Sequence, residues 1–310
     1  MRRNLSILTA VLASVAIVAP VGAITHGAPD NGEHPYVGEL LFYVPDAADP
    51  RFDDPGGWFN CTGTLMNSRI VLTAGHCTFG IGLNGASTTD GGAITDAAHG
   101  GVGGNDVWIS FAAAPNFDIL PPSSTFGRDE NQDRYEAWRK ALNGSSEWRR
   151  GVATPHPEYD DLAFYLHDAG VVRLSAALNM PKYGALAPLG YLDRYANESS
   201  NHPVESVGYG LEKVTGAADF GGDTRRKAEP VIQSLKSAPP NTYVIYGANA
   251  DTGGTCFGDS GGPEFDTTTS NLVVTVTSFG LNNTCTNRNG GYRIDQPDDQ
   301  AFLAGFGVQP

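Results

Sequence analysis

One serine, one histidine and one aspartate of this sequence are the candidates for catalytic residues. Ser260 lies in the glycine-rich turn GDSGG, Gly258 to Gly262, between two strand-like runs. A serine hydroxyl is a strong nucleophile only when a base takes its proton, and histidine suits that task because its ordinary pKa lies near neutrality. His76 follows the strand-like run RIVLT, and Asp161 stands in EYDDLAFY. These three residue types predict nucleophilic catalysis by a serine–histidine–aspartate triad.

The order of these residues along the chain separates two kinds of serine hydrolase. The turn around Ser260 also fits the G-x-S-x-G elbow of lipases and esterases, in which the catalytic histidine follows the serine. All seven histidines precede Ser260, and Gly261-Gly262-Pro263 is a poor start for the helix that an elbow requires. The elbow is therefore excluded, and the order His76, Asp161, Ser260 is that of the chymotrypsin triad.

Three motifs in this order resemble the catalytic signatures of the trypsin/chymotrypsin-like serine proteases: TAGHC, DDLAF and GDSGGP. The segment ITHGAPDNGEHPYVGEL is similar to the mature amino terminus of that family. The resemblance covers most of residues 24–310, and insertions near 80–150 and 211–230 depart from it. It implies a secreted serine endopeptidase that cleaves protein or peptide substrates through an acyl-enzyme on Ser260. It also implies an all-β, chymotrypsin-like fold of two packed, six-stranded antiparallel β-barrels with a short carboxy-terminal helix.

The resemblance assigns roles to the catalytic residues. His76 is the general base, Asp161 orients its ring, and the backbone N–H groups of Gly258 and Ser260 form the oxyanion hole. Asp160 competes with Asp161 for the role of orienting acid. The family aspartate directly precedes an aliphatic residue and an alanine, which favours Asp161 in Asp-Leu-Ala.

The resemblance also implies a substrate pocket and a strand that pairs with the substrate backbone. Its residues are Gly254, six positions before the serine, with Ser278, Phe279, Gly280 and Gly290. Ser278 is placed beneath the catalytic aspartate. A pocket with glycine at its base carries no counter-ion, so we expect it to disfavour arginine and lysine and to prefer a large apolar or aromatic side chain.

Composition and strand patterns support this fold. Glycine (39) and proline (20) are abundant, and short runs rich in valine, isoleucine, threonine and aromatic residues recur between turn signals. The polar segment LGYLDRYANESSNHP marks a crossing between two halves, which we expect to divide at about 24–185 and 186–310. The closing segment QPDDQAFLAGFG predicts a short helix.

The first 23 residues have the pattern of a cleaved secretory signal, with Arg2 and Arg3, an apolar run and small residues ending at Ala23. Cleavage there would free the amine of Ile24 with no intervening propeptide. The resemblance implies that this amine pairs with Asp259 and shapes the oxyanion loop. We therefore expect a secreted, extracellular and monomeric protein that is free of the membrane after cleavage.

Charge and cysteine content limit the partners. The formal net charge is −14, with no basic patch, so nucleic acid is not an expected partner. An even number of cysteines in an exported chain predicts two disulfides, and the pairing that is local in sequence is Cys61–Cys77 with Cys256–Cys285. No C-x-x-C motif is present, so we expect neither a metal nor a cofactor. Protein protease inhibitors are further partners for an enzyme of this kind.

Two other functions use the same fold. A non-catalytic binding module would be expected to lose the histidine or the serine of the triad, and here both are present. An esterase would keep the triad and differ in its substrate. The sequence favours the endopeptidase.

Overall fold

The computed structural model describes residues 24–45, 47–82, 105–163, 165–196, 202–215, 218–235 and 242–310. The predicted signal segment, residues 1–23, and most of the expected loop at 80–104 lie outside the described residues.

Strands account for most of the regular structure in the described ranges, and their valine, isoleucine, threonine and aromatic residues suit a pleated, half-buried surface. The strands of the amino-terminal half are β1 (Ala28–Pro29), β2 (Val37–Val44), β3 (Gly57–Leu65), β4 (Ile70–Thr73), β5 (Asp106–Ser110), β6 (Arg149–Pro155) and β7 (Gly170–Leu174). Those of the carboxy-terminal half are β8 (Ala185–Leu186), β9 (Val204–Gly208), β10 (Lys213–Val214), β11 (Asp219–Phe220), β12 (Arg226–Ala228), β13 (Val231–Ser234), β14 (Tyr243–Ala248), β15 (Pro263–Asp266), β16 (Leu272–Gly280) and β17 (Asn287–Arg293). The two α-helices described are α1 (Asn131–Gly144) and α2 (Pro297–Ala304).

The first half forms a closed antiparallel barrel in the order β2-β3-β4-β7-β6-β5. Its interior is filled by aliphatic side chains such as Leu40, Leu72 and Val172, all of them buried. The register of β4 against β7 pairs Thr73 with Gly170. The residues that follow β4 and those that precede β7 are therefore neighbours at one rim of this barrel.

The second half is a curled antiparallel sheet whose central order is β9-β15-β16-β17-β14-β13. An isolated bridge between Pro203 and Val231 brings its two ends together. The Val204 amide donates to the Pro230 carbonyl at 3.0 Å, and Ile232 N donates to His202 O at 2.9 Å. The predicted chymotrypsin-like fold class is confirmed: a closed six-stranded barrel and a curled half-barrel sheet pack on a shared core, and α2 is the expected carboxy-terminal helix.

The expected boundary between the halves, near 185–186, falls on β8, which already pairs with β16 of the second sheet. At the other end, β1 pairs with β12, so the amino-terminal segment also joins the second sheet. We therefore propose that the chain crosses between the two halves after Leu174 and before Ala185.

The two insertions carry structure of their own within the described residues. The first includes α1, whose Leu142 packs with Trp108 and Trp148 on the outside of the closed barrel. The second includes the small hairpin β10–β11. In the part of the chain described, no helix is long and apolar enough to cross a membrane.

Candidate active site

His76 lies in a single 3-10 turn, Gly75–Cys77, immediately beyond the end of β4. The neighbouring Cys77 is buried and forms a disulfide with Cys61 on β3, as predicted. This bond ties the turn to the barrel wall. The His76 side chain is 27% exposed, so its ring is held by the turn but can be reached from solvent.

Asp168 is the carboxylate that holds His76. Its Oδ1 accepts the backbone N–H of His76 at 2.9 Å, and its Oδ2 lies 3.0 Å from His76 Nδ1. The Asp168 side chain is fully buried. Burial disfavours the imidazolium, but the charge and hydrogen bond of Asp168 outweigh it and raise the pKa of His76 above its ordinary value. This contact also assigns the ring tautomer, because Nδ1 must carry the proton that faces the carboxylate, which leaves Nε2 free to act as a base.

The expected acid, Asp161, does not meet His76, and we correct that assignment to Asp168. Asp161 is exposed in a 3-10 turn, Asp161–Ala163, and its neighbour Leu162 is 90% exposed. Asp160, the alternative, is also exposed, and its carboxylate accepts the backbone N–H of Leu162. The physical reason is the register described above, because Asp168 lies two residues before β7, close to the turn after β4, whereas Asp161 lies nine residues before that strand. A cue was present in the sequence: only Ala169 separates Asp168 from the strand GVVRL.

Ser278 completes the contacts of the buried carboxylate. Its hydroxyl donates to Asp168 Oδ2 at 2.5 Å from β16 of the second sheet. Sequence reasoning placed Ser278 beneath the catalytic aspartate, and the structure puts it beneath Asp168. The carboxylate thus joins the two halves of the molecule.

The turn that carries Ser260 packs directly on the turn that carries His76. The Gly261 backbone has φ +75°, and a β-carbon there would overlap the Thr73 hydroxyl and lie 2.6 Å from the Ala74 amide. The Gly261 N–H donates to the Thr277 carbonyl at 2.8 Å, next to Ser278. Glycine at this position therefore permits the close approach that brings Ser260 to the junction of both halves.

The amides assigned to the oxyanion hole lie on the same turn. Gly258 has φ +98°, and a β-carbon there would lie 2.8 Å from Gly210 Cα. Within the described part of the chain, neither the Gly258 nor the Ser260 N–H donates a backbone hydrogen bond. Two unused amides flank Asp259, whose own N–H donates to the Cys256 carbonyl.

The Asp259 carboxylate turns away from solvent and accepts two backbone amides, from Gly210 and from Cys256, each at 2.8 Å. Burial raises the pKa of Asp259 to about 7, against the lowering effect of these two hydrogen bonds. Ile24 is fully buried, and the next residue, Thr25, exchanges two backbone hydrogen bonds of 3.0 Å with Gly254.

A cavity of about 130 Å³ opens beside Ser260. Its lining includes three of the predicted pocket residues, Ser278, Phe279 and Gly280, and the Cys256–Cys285 disulfide, whose pairing was predicted.

The two predicted pocket glycines are placed differently. The space beside Gly254, where a side chain would lie, is occupied by Ala248 and by the Asn289 carboxamide. The space beside Gly290 is occupied by the Phe279 ring. Neither Gly254 nor Gly290, predicted as residues of the substrate pocket, is therefore among the residues that line this cavity. Asn289, which sequence reasoning missed, lines the cavity instead.

Two groups of metal-ligand side chains occur in the described residues. One is His76 with Cys61 and Cys77, but the disulfide leaves no thiolate to bind a metal. The other is His156 with Glu158 and His167. There, His156 Nδ1 accepts the Glu158 backbone N–H at 3.2 Å, so that ring nitrogen is already used.

Comparison with known proteins agrees with this architecture. The family model described as Trypsin matches residues 130–296. Among solved structures, HL collagenase aligns with a TM-score of 0.59 and 16% identity, over 93% of this chain and all of that chain. Human heparin binding protein aligns with a TM-score of 0.55 and 15% identity, over 93% of this chain and 98% of that chain. No curated protein matches the sequence. At these identities the structural matches show a common fold.

Proposed function

Because the chain belongs to the trypsin family, we propose that it is a serine endopeptidase with the triad His76, Asp168 and Ser260. The observation that carries the proposal is the contact between Asp168 and His76, in a turn on which the Ser260 turn is packed. Proteins and peptides are the substrates that the family suggests.

The proposed mechanism begins with His76. Its Nε2 takes the proton of the Ser260 hydroxyl as the oxygen attacks the substrate carbonyl, and Asp168 stabilises the imidazolium that forms. His76 then passes this proton to the leaving amine, which departs and leaves an acyl-enzyme on Ser260. In the second half of the reaction His76 activates a water molecule that releases the acyl group.

The N–H groups of Gly258 and Ser260 are proposed to bind the oxyanion that develops in each half of the reaction. Donors held in place before the reaction stabilise that charge without a cost of reorganisation. The positive φ of Gly258 supports this role, because no other residue adopts that backbone conformation as readily beside Gly210.

Activation is proposed to depend on a new amino terminus. The Thr25–Gly254 pairing holds the chain beside the Ser260 loop, and Asp259 lies buried with no cation among its hydrogen-bond partners in the described part of the chain. An ammonium at Ile24 would neutralise this carboxylate. Secretion with removal of residues 1–23 would supply that ammonium, and the two disulfides suit an oxidising compartment. We propose a monomeric extracellular enzyme that is open to protein inhibitors.

A non-catalytic binding protein is the second candidate, because one of the similar structures is human heparin binding protein. A net charge of −14 argues against a polyanionic ligand for this chain.

Labelling with a fluorophosphonate separates the two candidates. We expect the processed protein to be labelled on Ser260, to cleave an unfolded protein, and to lose both properties in Ser260→Ala. A correctly folded wild-type protein that is neither labelled nor able to cleave would support the binding module.

A further inference from the structure

Asn289 on β17 is one of the residues that line the cavity beside Ser260. Its side chain is only 4% exposed. The amide nitrogen donates to the Thr255 carbonyl at 2.8 Å. A polar side chain that is buried in the lining of a substrate cavity influences which substrate groups can be paired there.

The orientation of the Asn289 carboxamide follows from this contact. The Thr255 carbonyl can only accept a hydrogen bond, so the nitrogen must face it and the oxygen must face the other way. The oxygen, Oδ1, is buried and has no hydrogen-bond partner within the described residues. A buried acceptor without a partner costs free energy, and a donor that reaches it recovers that cost.

Asn289 also takes the space that Gly254 would otherwise open. A β-carbon on Gly254 would lie 2.7 Å from Asn289 Oδ1 and would overlap Ala248. A side chain at position 254 is thereby excluded, and the Asn289 carboxamide is the polar group that occupies this space.

Building on the proposed endopeptidase function, we infer that Asn289 determines the primary specificity. It favours a neutral side chain that ends in an O–H or N–H donor, such as the phenol of tyrosine or the carboxamide of glutamine. An apolar side chain of the same size leaves Oδ1 unpaired, and a carboxylate places a second acceptor against it. Lysine and arginine meet no counter-ion at a neutral amide.

The test uses pairs of peptide substrates that differ at the cleaved residue mainly in one donor: tyrosine against phenylalanine, and glutamine against methionine. The ratio of kcat/KM within each pair is measured on the wild type, on Asn289→Ala and on Asn289→Leu, which retains the side-chain shape without the acceptor. Both kcat/KM values of a ratio are measured on the same enzyme sample, so the fraction of folded enzyme cancels from the ratio. We expect both variants to lower the donor-to-apolar ratio by about tenfold.

Asn282 is the matched control, because it also lines the cavity but its carboxamide is already paired: the oxygen accepts the Thr284 N–H and the nitrogen donates to the Thr286 carbonyl. Asn282→Ala should leave the ratios within twofold of the wild type. If both Asn289 variants keep the wild-type ratios of kcat/KM between donor and apolar substrates, the inference is overturned.

A binding measurement keeps this test separate from that of the catalytic proposal. On Ser260→Ala, ligand-observed NMR compares p-cresol with toluene, which differ in one hydroxyl. Tighter binding of p-cresol that is lost with the added Asn289→Leu change supports the inference even if no peptide is cleaved. Equal binding of the two ligands contradicts it even if the protein is an active protease.

Discussion

Asp168 determines the chemistry of this site, because one buried carboxylate accepts the backbone N–H of His76, its ring N–H and the Ser278 hydroxyl. These donors fix the position of the carboxylate, and through it the tautomer and orientation of the His76 ring. The same carboxylate raises the pKa of His76, while burial of the ring opposes that rise. The pH dependence of catalysis therefore reports directly on this contact.

The first prediction concerns that pH dependence. A raised pKa keeps His76 protonated to a higher pH, and only the neutral ring can accept the Ser260 proton, so kcat/KM should fall with acidification through a midpoint above 6.5. In Asp168→Asn the charge that raises the pKa of His76 is gone, and the burial that lowers this pKa remains. The midpoint of the pH profile of the residual kcat/KM should therefore move to lower pH. Measurement of kcat/KM from pH 5 to 9 tests this, and an unmoved midpoint would contradict it.

The strand register explains why the sequence pointed to two members of the proposed triad but not to the third. His76 and Ser260 stand in motifs whose residue order and composition suffice to recognise them. The acid is determined by which residue faces the turn after β4, and that depends on the pairing of Thr73 with Gly170. The motif DDLAF carries no information on this pairing, so Asp161 fitted the pattern while its side chain lies at the surface.

The second prediction tests the packing of the Ser260 turn on the His76 turn. Gly261→Ala would push the two turns apart, because its β-carbon would overlap Thr73, and we expect kcat/KM to fall by at least about 100-fold. Gly307→Ala is the control: its φ is +76°, close to that of Gly261, but no atom lies within 4 Å of the added carbon. It should cost about 1 kcal/mol of stability and leave kcat/KM unchanged. Equal kinetic effects of the two substitutions would refute the packing argument.

The whole molecule places its proposed catalytic groups at the junction of its two halves. His76 and Asp168 come from one rim of the closed barrel, whereas Ser260 and Ser278 come from the curled sheet. The strand-like runs predicted a mostly β protein, and the resemblance of three short motifs in their chain order to the serine proteases predicted the fold class. The occupied spaces beside Gly254 and Gly290 depend on contacts with Asn289 and Phe279, which no single motif contains.

The third prediction concerns the amino terminus, and it compares a chain that begins at Ile24 with one that carries a single extra residue. The extra residue removes the ammonium at Ile24, so we expect activity to be lost. In that longer chain Asp259 keeps a pKa of about 7, above the 3.8 of an unfolded aspartate. The folded chain then favours the protonated Asp259 carboxyl. The contribution of this carboxyl to the stability of the folded chain is fully present below pH 3.8 and is lost as the pH rises through 7.

Thermal unfolding of the two chains between pH 4 and 8 measures this effect. Glu264, whose pKa burial also raises to about 7, titrates in both chains, so their difference isolates Asp259. Between pH 4 and pH 8, the free energy of unfolding of the longer chain should fall by up to about 4 kcal/mol more than that of the shorter chain. Equal activities together with parallel stability curves would exclude the Ile24–Asp259 pair.

The central claim is that Asp168, and not Asp161, completes a working triad with His76 and Ser260. The most direct measurement is kcat/KM for a peptide substrate in Asp168→Asn and in Asp161→Asn, with Ser260 titrated by a fluorophosphonate to count active sites. We predict a loss of about 10⁴-fold in Asp168→Asn, the size known for the equivalent change in a well-studied protease of this fold, and a change of less than about threefold in Asp161→Asn. A large loss in Asp161→Asn with Asp168→Asn near the wild type would contradict the account.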